Sequence, residues 1–126
     1  MGSFQSHEIC PRCKYDNAIY EWNKDGNEWL ACERCGYNYN TYNGDKKNGE
    51  CKALGSFHGM PKKGFGGSGS YDTQDQLNGF ILDCKERKEE LAEARYTYCK
   101  DGVYYVVDVL AEQEMEFEEW ELLKAV

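Results

Sequence analysis

Apolar and polar residues alternate in short runs along this chain, and twice a pair of such runs flanks a turn signal. Ala18 to Trp22 and Glu28 to Ala31 enclose a polar segment containing Asp25-Gly26. That arrangement predicts a β-hairpin. Arg95 to Cys99 and Val103 to Val109 enclose Lys100-Asp101-Gly102. β-branched and aromatic residues fill both arms, so a second hairpin is expected there. The apolar run Phe80-Ile81-Leu82-Asp83-Cys84 predicts a further strand. Between Lys85 and Ala94 the composition suits a helix but the apolar spacing does not. Glutamates alternate with Met115 and Phe117 from Glu112 onward, which suits a strand. Trp120, Leu123 and Val126 then fall three apart, which suits a short terminal helix from Glu118.

Composition sharpens this picture into segments. The chain has 126 residues and a formal net charge of −8. Residues 1–43 hold 4 basic and 6 acidic residues, residues 44–70 hold 5 and 2, and residues 71–126 hold 6 and 15. Eight of the 13 glycines lie in 44–70. The expected organisation follows: a cysteine-paired unit over 1–43, a Gly/Lys-rich loop or linker over 44–70, and an acidic β-rich domain over 71–126. No run approaches the roughly 20 apolar residues of a membrane span. No apolar signal-peptide stretch lies in the first 20 residues, and clustered cysteines then read as metal ligands in a reducing cytoplasm.

The sharpest motif is Cys10-Pro11-Arg12-Cys13, an 18-residue spacer, then Cys32-Glu33-Arg34-Cys35-Gly36. Two residues between thiols let one tight turn aim both sulfurs at a single ion. The spacer is long enough for an outgoing and a returning strand, which bring the two pairs together. Four thiolates at about 2.3 Å in a tetrahedron is the structural zinc arrangement. Gly36 stands where such a turn calls for positive φ.

Residues 8–40 resemble the zinc-ribbon family, as found in general transcription factors, RNA polymerase subunits and many small phage and bacterial proteins. The resemblance implies one structural Zn2+ held by Cys10, Cys13, Cys32 and Cys35. It departs at Lys14, where the family often has Gly after the second cysteine. Together with the segments that follow, it implies an α+β, mostly β, architecture: an N-terminal zinc ribbon, a small antiparallel sheet and a short C-terminal helix. Rubredoxins also use two such knuckles, and Cys35-Gly36-Tyr37 is similar to theirs, so an iron redox centre is the competing reading of the same four cysteines.

The other candidate residues carry weaker signals. Cys51, Cys84 and Cys99 have irregular spacings, and Cys84 and Cys99 fall in expected strands, where free cysteine acts as a small buried hydrophobe. His7 precedes the first knuckle and His58 lies in the Gly-rich segment. Neither forms part of a nucleophile–base arrangement, and no phosphate-binding glycine pattern is present, so the chain is read as non-enzymatic. Arg12, Lys14, Arg34, Lys46, Lys47, Lys62 and Lys63, with nearby tyrosines and phenylalanines, are the residues a nucleic-acid-binding ribbon would use. The acidic end offers the opposite surface, with Phe117 and Trp120 as anchors for a basic protein partner. Low proline, abundant tyrosine and asparagine, and short length are similar in style to phage accessory proteins that bind host machinery. The leading expectation is therefore a cytoplasmic zinc-binding adaptor or regulator working through protein contact, with nucleic-acid binding as the alternative.

Overall fold

In the computed structural model, residues 3–41 and 53–124 are described. The chain is mostly β, with two antiparallel sheets and two α-helices among these residues. Strands β1 (Ser3–Glu8), β2 (Ala18–Asn23), β3 (Glu28–Ala31) and β4 (Asn38–Asn40) form the first sheet in that order. The expected hairpin joins β2 and β3. Asn23 closes its turn, its side-chain oxygen accepting from the N–H groups of Asp25 (3.0 Å) and Asn27 (3.2 Å), while Gly26 takes φ 83°.

The second sheet has the order β6-β5-β7-β8-β9, built from β5 (Gly55–Pro61), β6 (Gly67–Tyr71), β7 (Leu91–Lys100), β8 (Val103–Asp108) and β9 (Gln113–Glu116). Asp101 and Gly102 link β7 to β8 with φ of 54° and 81°, the two successive positive values of a type I′ turn. Its handedness matches the twist of the flanking strands, and Lys100 pairs with Val103 across it.

Two expectations are corrected here. Residues 80–84 are helical, inside α1 (Gln74–Glu86). Thr73 caps the helix by accepting from the Gln76 N–H, and Leu77, Phe80, Ile81 and Cys84 recur at helical spacing on one face. The uncertain stretch after it is a one-turn 3₁₀ segment, Lys88–Glu90, leading into β7. The segment read as a loop over 44–70 instead contributes β5 and β6; residues 42–52 lie outside the described residues. The helix α2 (Phe117–Lys124) follows β9, as the terminal pattern predicts.

Strand alternation gives the second sheet two different faces. Phe57, Ala94 and Tyr96 point to α1, where Phe57 and Phe80 meet edge to face at 4.8 Å. Cys84, Leu91, Ala94 and Val109 form a small buried core on that side. Ser56, Arg95, Thr97 and Val106 point the other way, toward the first sheet and α2. There a larger core joins Cys10, Tyr15, Leu30, Cys32, Cys35 and Tyr37 of the first sheet region to Val106 and Phe117. The five-stranded sheet is thus covered on both faces.

Candidate metal centre

The hairpin brings the two cysteine pairs to the same end of the first sheet. The sulfurs of Cys10 and Cys35 are 3.6 Å apart, as are those of Cys13 and Cys32, and all four lie within 4.8 Å of one another. A tetrahedron with bonds of 2.3 Å has edges of about 3.8 Å, so the four thiols fit a metal ion of that bond length. Cys10, Cys32 and Cys35 are buried and Cys13 nearly so. Hydrogen bonds from Cys10, Cys32 and Cys35 hold the Cys13 thiol far below its ordinary range, and the same cluster pushes Cys35 up. Thiols packed this closely cannot all ionise without a cation among them, so their deprotonation and metal binding are linked.

Each knuckle is built by the same backbone bonds. Cys10 N–H donates to Tyr15 O (2.8 Å) and Lys14 N–H to Cys10 O (2.9 Å). In the second knuckle Cys32 N–H donates to Tyr37 O (2.8 Å) and Gly36 N–H to Cys32 O (3.0 Å). Lys14 adopts φ 67° and Gly36 φ 82°. The residue after the second cysteine is left-handed in both knuckles, and Lys14 meets that demand without glycine. A repeated Cys-x-Arg-Cys-x-Tyr underlies this, and its tyrosines were the available signal for two core residues that spacing of cysteines alone passes over.

The second knuckle is seated on the centre of the five-stranded sheet by its backbone. Ser56 Oγ donates to Glu33 O, and Thr97 Oγ1 donates to Arg34 O (2.8 Å). A Cβ on Gly36 would collide with the Gly55 carbonyl, and one on Gly55 would collide with the Thr97 carbonyl. Nothing in the residue pattern of β5 or β7 announces this contact, since the hydroxyls meet main-chain carbonyls 23 and 63 positions away in sequence.

Arg34 is the second connection. Its Nη2 donates to Cys13 O and its Nη1 pairs with Glu118 of α2 at 2.7 Å. The guanidinium lies 5.3 Å from the Tyr15 ring centre and 5.1 Å from that of Tyr104. Burial alone would lower its pKa, but the contacts with Cys13 and Glu118 outweigh that and raise it. One guanidinium therefore ties both knuckles to the terminal helix.

The remaining candidates are dispersed. Arg12 and Lys14 are exposed on the first knuckle. Lys62 and Lys63 are exposed beyond Pro61, about 20 Å along β5 from the knuckle contact at 3.3 Å per residue. Lys46, Lys47 and Cys51 lie outside the described residues. Phe117, an expected partner anchor, is instead 1% exposed and packs edge to face on Tyr15 at 5.2 Å. Trp120 is half-buried, with Arg95 and Lys124 over its ring. Cys84 is buried as expected, though in a helix, whereas Cys99 is exposed. His7 is exposed on β1 and outside the cysteine cluster, and His58 bonds Ser68 and Glu93.

Among the described residues no helix is long and apolar enough to cross a membrane. No protein-family model, curated protein or solved structure gives a significant match to the chain.

Proposed function

We propose that this chain is a non-enzymatic protein of zinc-ribbon type, in which one structural Zn2+ on Cys10, Cys13, Cys32 and Cys35 fastens the first sheet to the second. The convergence of four mostly buried sulfurs within 4.8 Å carries the reading. Four protein ligands leave no open coordination position, which is the hallmark of structural rather than catalytic zinc. The purified protein should contain one zinc per chain and be colourless. A red iron–thiolate absorption at the same stoichiometry would replace zinc by iron. Cys32→Ser should lose the ion and unfold the first sheet; a folded, fully zinc-loaded variant would remove Cys32 from the ligand set.

The scaffold so formed would act as an adaptor through its acidic end. Glu112, Glu116 and Glu119 are exposed, and Leu122 and Leu123 of α2 are 72% and 60% exposed. Apolar side chains within an acidic segment suit a basic protein partner. The dispersed lysines and the internal engagement of Arg34 give less support to nucleic-acid binding. Replacing Glu112, Glu116 and Glu119 by Lys should abolish salt-sensitive capture of a protein partner while metal content stays unchanged. Unaltered capture by that variant would locate the contact elsewhere.

A further inference from the structure

A cleft of about 520 Å³ lies between the two sheets and borders the metal centre, with Cys32, Glu33 and Gly36 of the second knuckle in its lining. Its two walls differ in chemistry. The first sheet supplies Ile19, Trp29 and Tyr37, an apolar and aromatic roof. The second sheet supplies hydroxyls and charge from Ser56, Ser68, Ser70, His58 and Arg95, and Trp120 of α2 lines it as well. A polar floor under an aromatic roof, at a volume typical of ligand sites, is the composition of a site for a small planar molecule.

The charges select its sign. Arg95 and Lys124 sit over the same indole, at 4.9 and 4.8 Å from the Trp120 ring centre. Against these two cations stands Glu93, which is largely exposed and meets Arg95 at 3.5 Å and His58 at 3.2 Å. The Glu33 carboxylate accepts from Tyr15 OH and so is engaged on the first knuckle. Burial and the Arg95 charge lower the His58 pKa, leaving a neutral imidazole bonded to Ser68 Oγ at 2.8 Å. Arg95 is thus the cation in the lining of the cleft, with Lys124 outside that lining on the Trp120 ring, and Glu33, which also lines it, has its carboxylate turned to Tyr15.

We propose that this cleft binds a small aromatic anion, its planar ring stacked beneath Trp29 and Tyr37 and its carboxylate or phosphate held by Arg95 and by the Ser70 hydroxyl, which accepts from Asn38 and keeps its own hydrogen to donate. Stacking supplies ring affinity, and a guanidinium supplies paired donors for a planar or tetrahedral anion. Neither the acidic face nor the identity of the metal enters this assignment, although Trp120 belongs to α2 and Cys32 lines the cleft.

The three tryptophans provide the test. Trp29 and Trp120 line the cleft, whereas Trp22 does not line it and is 43% exposed. The metal-loaded, full-length protein is titrated with adenosine 5′-monophosphate and with benzoate, and the three indole N–H resonances are followed by NMR. Adenosine and inorganic phosphate serve as controls. Saturable shifts of Trp29 and Trp120 with a static Trp22 are expected for at least one anion, with adenosine binding at least tenfold more weakly than its monophosphate if the nucleotide is the ligand. Response to the nucleotide alone assigns a phosphate ligand, and response to benzoate alone assigns a carboxylate. Arg95→Gln should weaken the responding anion about tenfold or more. Lys124→Gln, at an exposed position, should weaken it less and leaves the fold intact. No shift with either anion, equal movement of Trp22, or full affinity in both variants would overturn the proposal.

Discussion

Gly36 carries two demands at one position: a φ of 82° and a surface without a Cβ. Lys14 occupies the equivalent place in the first knuckle, at an exposed position, and carries a Cβ, so it meets only the first demand. Left-handed conformation costs a non-glycine residue about 1–2 kcal/mol. Gly36→Ala should therefore cost more than that, since the Gly55 carbonyl must also move. Lys14→Gly should be neutral or slightly stabilising. Urea unfolding of the metal-loaded variants measures both, and equal effects at the two positions would show that the close approach to Gly55 is unimportant. The left-handed turn was readable from the motif; the collision was not, because it depends on a strand 19 residues further on in a segment whose glycines look like those of a linker.

Among the elements, α2 has the most divided character. Its first residue, Phe117, is a core residue, while Leu122 and Leu123 face outward. Alternation with glutamate marks the apolar positions of β9 and α2 but does not tell which of them meets the first sheet. Phe117→Ala should cost about 3–5 kcal/mol, as expected for deleting a buried aromatic ring, whereas Leu122→Ala should change stability by less than about 0.5 kcal/mol. Thermal melts of the two variants separate these outcomes; similar losses would mean that α2 is not docked through Phe117. The α1 helix was concealed for a related reason. Phe80 to Cys84 is a run too short for periodicity to discriminate, and the decisive features are the Thr73 cap and Leu77, which lie before it. The β7–β8 hairpin was legible because its turn residues and its arms agree. The Gly/Ser-rich arms of β5 and β6 hold few side chains that favour a strand beyond Phe57 and Tyr71 and are ordered by their neighbours: β5 is an inner strand, with β7 on its other side.

For the whole molecule, the larger core is shared. Three of its cysteines, Tyr15 and Leu30 come from the first sheet region, and Val106 and Phe117 come from the second half of the chain. On the zinc reading, the free energy of metal binding is spent on both sheets. A chelator should therefore lower the stability of the entire protein, with amide protection lost in β2 and β3 and in β8 and α2 together. Protection that fell only in residues 3–41 would mean that the second sheet stands without the ion. Acid should produce the same loss, because protons compete with the metal for four thiolates and the bound state is favoured as pH rises. The uneven charge visible in the composition also finds a place here: the acidic end of the chain folds back so that Glu118 reaches Arg34 while Glu112, Glu116 and Glu119 are exposed.

The two knuckles are alike in their own hydrogen bonds but are anchored differently. The second is gripped through main-chain carbonyls by hydroxyls of two adjacent inner strands, whereas the first meets the last helix through Tyr15 on Phe117 and Asn17 on Glu121 and is held to the second knuckle by Arg34 on the Cys13 carbonyl. On the zinc reading, Cys32 and Cys35 are held by the inner strands as well as by the ion, whereas Cys10 and Cys13 lack that second support, so chelation should loosen the first knuckle before the second.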